Sequence, residues 1–225
     1  MLYALAHPAA LGVLLLSFVL GVTVHGWVQS AVADRLGDRR PRQEGRLKPD
    51  PRLHLDPFGC VAAAISGLGW VKPVEVLDHR RRGAALAVTL SGPAINLLLG
   101  AGLLLAFRAS AGVGINGGLA SLLQHGTSFS GAAGQIALLL AGASQLYLGA
   151  LSLVPLPPLD GGRLLFALAP RTAGWQKAQH YLVEQNIGIA VLLALLLIPL
   201  GGPLPLLPQL LDTVLGPLIT VLTGG

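Results

Sequence analysis

The sequence predicts an all-α polytopic membrane protein, a transmembrane helix bundle with a small membrane-associated β-hairpin or re-entrant segment. Three observations carry that prediction. Apolar residues make up 53% of the 225 and charged residues only 11%, where soluble domains carry about a quarter charged. The apolar residues fall in runs long enough to cross a bilayer, which takes about 20 residues of helix. The basic residues collect between those runs, as the positive-inside rule expects. The net charge of +5 is therefore read as topology, against a nucleic-acid partner. A lone cysteine, Cys60, excludes an internal disulfide and gives no thiolate metal site.

The chain reads as one membrane domain over 1–225. Its first span is expected at about 2–33, with no cleavable signal, because the apolar run continues into polar residues of functional type. Arg35, Arg39, Arg40, Arg42, Arg46, Lys48 and Arg52 follow and place this segment in the cytoplasm, with the N-terminus outside. GRLKPDPRLHLDP, with prolines at 49, 51 and 57, alternates polar and apolar residues and predicts an extended edge or hairpin. Pro57 to Trp70 is short for a span. Basic residues flank it on both sides, so about 45–70 is expected to dip in and return.

A second span is expected at about 83–107. The charge-free stretch Ser110 to Gly134 suits the outer face, with a short interfacial piece at Ser121 to Ser130. A third span, about 135–156, ends in VPLPPLDGGR, where prolines 155, 157 and 158 break the helix. Backbone freed at that depth must be buried in protein or line a wet cavity. A fourth span is expected at about 183–200, while 201–225 is apolar, proline-bearing and undecided between a span and a cap.

Ionisable residues inside a membrane are costly and mark function by default. His25, in VTVHGWVQS, lies in the first span and Asp160 at the broken end of the third, both toward the cytoplasmic side. They can meet across a helix interface, and imidazole and carboxylate are both suitable zinc ligands. Each also has a plainer reading. His25 alone is explained by a hydrogen bond to Gln29 one turn on, and Asp160 alone by a helix cap beside glycines. Asn96 alone reads as an interhelical hydrogen bond, with Gly92 and Pro93 permitting close packing. His25, Gly26 and Gln29 stand at the first, second and fifth places of a His-Glu-x-x-His frame, in which two histidines bind zinc and the glutamate is general base.

Taken together, HGWVQSAVADRLGD, GRLKPDPRLHLDPFG, GWVKPVEV, SGPAIN and VPLPPLDGGR, in this order, resemble the site-2 protease family of intramembrane zinc metalloproteases, in its small bacterial form. The resemblance implies that His25 and Asp160 hold two zinc-ligand positions, the second histidine ligand being replaced by Gln29. It puts Gly26 where the family has its general-base glutamate, so no catalytic residue is expected. It also implies a substrate groove at Asn96, Ser152, Pro155 and Pro157, Ser152 standing where the family usually has asparagine. Zinc is the family's cofactor and is expected to be absent or weakly bound here. The resemblance implies a bacterial inner membrane.

The function this predicts is a pseudoprotease that binds transmembrane or extended membrane segments, through strand addition to a Gly45–Gly59 hairpin. The lipid bilayer is its other partner. Two rivals stand beside it. One is a metallopeptidase with an atypical zinc site, in which His54 or His79 joins His25 and Asp160. The other is a small-solute or ion pathway lined by His25, Gln29, Asn96 and Asp160.

Overall fold

Two aspartate–proline pairs decide how the polar segment after the first span folds. The computed structural model describes residues 8–74, 82–111, 114–115, 117–118, 132–170, 172–199 and 205–225. In it Asp50 and Asp56 are N-caps, their carboxylates accepting from Arg52 N and Gly59 N, and Pro51 and Pro57 open the helices they cap. Proline is tolerated in the first helical turn, where its missing N–H has no intrahelical acceptor. The expected hairpin is therefore not there. Among the described residues no strand forms, and residues 45–59 contain a single helical turn and the start of a short helix, with one isolated bridge, Leu55 to Val71. The prolines that argue against a long helix are the residues that start two short ones.

In chain order the helices are α1 (Pro8–Arg35), α2 (Arg40–Gln43), α3 (Pro51–His54), α4 (Pro57–Ser66), α5 (Arg82–Ala111), α6 (Ala133–Ser152), α7 (Asp160–Leu168), α8 (Ala173–Gln179), α9 (Ile187–Leu197) and α10 (Leu206–Thr223). A π-helical turn, His180–Glu184, continues α8. By length and hydropathy α1, α5, α6 and α10 are each able to cross a membrane, and α8 with α9 forms a pair bent by 68° that passes the same test together. The chain is an integral membrane protein. The undecided stretch 201–225 contains the 18-residue helix α10. The expected interfacial piece at Ser121 to Ser130, and His79, lie outside the described residues.

The bundle centres on α5 against α6, with α1 packed on both. Glycines set how closely these helices approach, as is usual in lipid, where small residues take the place of a hydrophobic driving force. A Cβ at Gly100 would fall 2.8 Å from the Leu146 side chain, one at Gly142 2.9 Å from Leu104, and one at Gly149 2.9 Å from Leu97. Each glycine receives a leucine of the facing helix. Leu104, Phe107, Leu139, Tyr147, Leu151, Leu192, Leu196 and Ile219 complete the core, bringing α9 and α10 onto the α5–α6 pair.

The loop side is tied down through backbone. Trp27 Nε1 donates to Leu47 O at 2.9 Å, and Lys72 N to His54 O at 2.8 Å. Arg46 donates to Pro73 O and Lys72 O, both at 2.8 Å, and Arg163 of α7 reaches Val74 O. On its other flank the segment packs against α4, since a Cβ at Gly59 would sit 2.5 Å from Trp70 O. Residues 69–74 are thus held along their main chain by α3, α4, Arg46 and Arg163.

The turn after α6 is equally crowded. A Cβ at Gly161 would overlap the Leu153 carbonyl, and one at Gly162 the backbone of Leu156 and Pro157. Gly161→Ala should therefore lower stability by about 1–3 kcal/mol, the usual cost of overpacking. Gly174→Ala in α8, where a Cβ meets nothing within 4 Å, should be neutral or slightly stabilising. Paired unfolding curves in mixed micelles check both.

Candidate functional site at the α1–α5–α7 junction

Asp160 is the first residue of α7, beyond the non-helical turn that the prolines impose on the end of α6. A carboxylate there complements the helix N-terminal dipole. Only 6% of the residue is accessible, so its oxygens must find partners inside the protein. They do. Oδ2 lies 2.8 Å from His25 Nε2, and Oδ1 accepts from Gln29 Nε2 at 2.9 Å. Arg163 Nη1, one turn on in α7, stands 3.6 Å from Oδ1.

His25 and Gln29 are four apart on α1, so helical geometry puts both on the face turned to α7. His25 is completely buried, and its other ring nitrogen, Nδ1, lies 3.2 Å from Asn96 Nδ2 on α5. With a carboxylate at one nitrogen and an amide N–H at the other, Nε2 donates and Nδ1 accepts. Gln29 Nε2 also reaches Thr89 O of α5 at 3.3 Å. Gly92 makes this closeness possible: a Cβ there would overlap His25 Nε2 and come within 2.8 Å of Gln29 Nε2. Three sequence-predicted residues and Gln29 therefore meet at one point, where α1, α5 and α7 converge.

The other expected residues sit differently. Ser152 is buried, and its hydroxyl donates to Gly149 O of its own helix at 2.7 Å. Pro155 is exposed and Pro157 buried, with the Pro157 carbonyl against Gly188 of α9. Gly26, beside His25, faces elsewhere: a Cβ on it would lie 2.5 Å from Nδ1 of His54. His54 ends α3 and is fully buried, with Nε2 3.1 Å from Lys48 O. Burial pushes its pKa below the ordinary 6.5, and Arg46 nearby adds to the effect against the opposing pull of the Lys48 carbonyl.

The chain is similar to known proteins over most of its length. The model of Peptidase family M50 matches residues 15–198. The Bacillus subtilis (strain 168) protein YwhC, named a putative zinc metalloprotease, is 31% identical over 201 residues, which cover 84% of this chain and 82% of that protein. No solved structure matches.

The chain belongs to peptidase family M50.

This is the site-2 protease family of the sequence resemblance, and α10 lies beyond the part that the M50 model matches. Sequence reasoning passed over two contacts. Arg163 lies in VPLPPLDGGR, and its i,i+3 spacing from Asp160 already places the two on one helix face. Asp212, in the apolar C-terminal stretch, receives the Tyr147 hydroxyl of α6. An intramembrane carboxylate was the signal there.

Asp160→Ala leaves the His25 and Gln29 N–H groups buried without their acceptor and should cost about 3–5 kcal/mol, the range for breaking a buried pair. Gln29→Leu removes one donor to a charged group and should cost about 1.5–3 kcal/mol. Equal losses would show that the carboxylate is not the hub. His54 gives a pH dependence of definite sign. Its folded pKa is lowered, so between that value and 6.5 the unfolded chain binds more protons. Its contribution is whole above 6.5 and declines as pH falls through that window. The stability difference between the parent and His54→Gln should shrink over the same interval in unfolding curves taken at successive pH values.

Proposed function

We propose that this M50 protein is a non-catalytic member of its family, one that holds transmembrane or extended membrane segments without cutting them. One observation carries the reading: both oxygens of Asp160 are taken up by N–H donors, His25 Nε2 on one and Gln29 Nε2 on the other. A zinc-binding carboxylate offers its lone pairs to the metal, and catalytic zinc takes three protein ligands plus a water. Here His25 and Asp160 are the two strong donors, and Gln29 turns its amide N–H, not a lone pair, toward the carboxylate. The residues present do not fit the family's zinc. Position 26 is glycine, which has no group to take a proton, and loss of a general base costs about 10²–10⁴ in rate.

What such a scaffold keeps is a bundle with polar groups buried between α1, α5 and α7, and a neighbouring segment, 69–74, whose main chain is gripped by hydrogen bonds while Trp70 and Val71 pack into the core. Both features suit recognition of polypeptide backbone within or beside a bilayer. The occupant does not pair with a 45–59 hairpin, which the fold lacks. In this reading α1 runs from outside to cytoplasm, because Arg35 and the basic residues up to Arg52 follow its end. A bacterial inner membrane is the matching home.

Metal analysis tests the reading. Purified parent protein should carry well under one zinc per chain and leave a transmembrane model substrate uncut. Near-stoichiometric zinc that disappears in His25→Ala would sink it. Rebuilding the family's motif needs more than two substitutions, because a side chain at position 26 runs into His54. Gly26→Glu with Gln29→His and His54→Ala should bind zinc and cleave. Gly26→Glu with Gln29→His alone should fold poorly.

A further inference from the structure

α9 is apolar throughout, yet short. Its 11 residues rise about 16 Å, half of a hydrocarbon core about 30 Å thick. It starts at the cytoplasmic end of the bundle, where Gly188 lies against the Pro157 carbonyl of the turn after α6. α10, with 18 residues, rises about 27 Å, and its neighbours give its direction. Leu146 of α6 meets Gly100 of α5, and the next residue, Tyr147, donates to Asp212 of α10. Further along α5, Arg108 Nη1 donates to Val221 O. Going from Gly100 to Arg108 on α5 therefore goes from Asp212 to Val221 on α10, so the two helices run parallel. Past their ends, Ile115 N donates to Thr223 Oγ1 and Gly117 N to Thr220 Oγ1, both at 3.2 Å. The end of α10 is bound to the chain that leaves α5.

We propose that α8 and α9 form a re-entrant element seated in the cytoplasmic leaflet, and that α10 makes the fourth crossing in place of the span expected at about 183–200. α6 runs antiparallel to α5. A complete crossing by α9 would therefore set α10 against α5, not along it. The partner of the element is the lipid of that leaflet. α9 packs on α4, and both turn apolar side chains outward: Phe58, Val61 and Ile65 from α4, Ile187 and Val191 from α9, and Ile198 just past it. Exposed apolar side chains grouped in this way mark a partner, and for short helices set among membrane spans that partner is acyl chains. α8 and its π-helical turn are bent 68° from α9, and none of their residues is buried. They lie near the membrane plane, with Trp175 and Tyr181 at the headgroup level where such side chains collect. None of this depends on the state of the His25–Asp160 pair.

Cysteine labelling of the full chain in sealed vesicles tests the proposal, in a Cys60→Ser background. Single cysteines replace Ser110, Gln179, Ile198 and Gly225, all of them exposed, and a membrane-impermeant maleimide is added to one face at a time. Ser110→Cys, at the end of α5, is the reference, so the result stands whichever face is cytoplasmic. Gly225→Cys should label from the same face as Ser110→Cys, and Gln179→Cys from the opposite face only. Ile198→Cys should label from neither, and a nitroxide attached there should collide with oxygen while shielded from aqueous nickel. Labelling of Gly225→Cys from the Gln179 face, or of Gln179→Cys from the Ser110 face, overturns the proposal. So does labelling at 198 from either face, or access of nickel to the nitroxide, since half-depth lipid contact allows neither.

Discussion

The structure depends on where one carboxylate is kept. Asp160 sits at the head of α7, almost out of water, and an anion in such a place is tolerable only when donors surround it. α1 sends two, from His25 and Gln29, while α7 adds the opposite charge of Arg163 at ion-pair distance, 3.6 Å. α5 supplies none directly, yet it fixes both α1 donors through Asn96 and the Thr89 carbonyl. Three helices are therefore registered against one another by four polar side chains in an interface where apolar contacts carry little directional information. Hydrogen bonds in lipid are worth only about 0.6–2 kcal/mol each. Their value here is the unique fit: a shift of α1 by one residue would turn His25 and Gln29 off the α7 face together.

Glycine makes that fit possible, and it does so at a cost. Gly92 lets α5 lie against the imidazole and amide of α1, and Gly161 and Gly162 let the start of α7 fold under the proline turn. Each removes side-chain contacts that would otherwise pack. Gly26 belongs to the same set, with a different occupant: the space beside it is filled by a histidine from the loop side, so α3 is locked onto α1 at the point where α1 turns toward α7. The loop 38–74 is for this reason held against α1 on the face beside the site. Its main chain is held by Trp27, Arg46 and Arg163, residues that belong to three different parts of the chain.

Much of this was legible in the sequence, and the parts that were not share a cause. The membrane class and most of the spanning helices follow from apolar run length and the placement of charge, while the meeting of His25 with Asp160 follows from the family resemblance carried by the ordered motifs. Asn96 joined them because a polar residue in a span needs a partner. The hairpin was misread because proline was weighed only as a helix breaker, while an aspartate before it turns the same residue into a helix start. His54 was nameable only as one of two loop histidines, since no periodicity ties a loop residue to α1. Arg163 and Asp212 were hidden by context, the first among basic residues marking a side of the membrane, the second within an apolar tail.

The contact between His54 and Gly26 changes how the two departures from the His-Glu-x-x-His frame are to be understood. A lapsed active site in which glutamate had simply shrunk to glycine would leave a void beside α1, and voids in packed interiors destabilise in proportion to their volume. No such void stands against Gly26, because the imidazole occupies its side-chain space. Gln29 is matched in the same way: its amide donates to the carboxylate and to a backbone carbonyl at once, two bonds an imidazole in its place does not make with a single N–H. Both substitutions are therefore integrated with their surroundings, one by packing and one by hydrogen bonding. Reversing either alone disturbs a neighbour that has been fitted to it. The site is a settled arrangement in its own right, built on the M50 scaffold around a carboxylate that is satisfied by N–H groups.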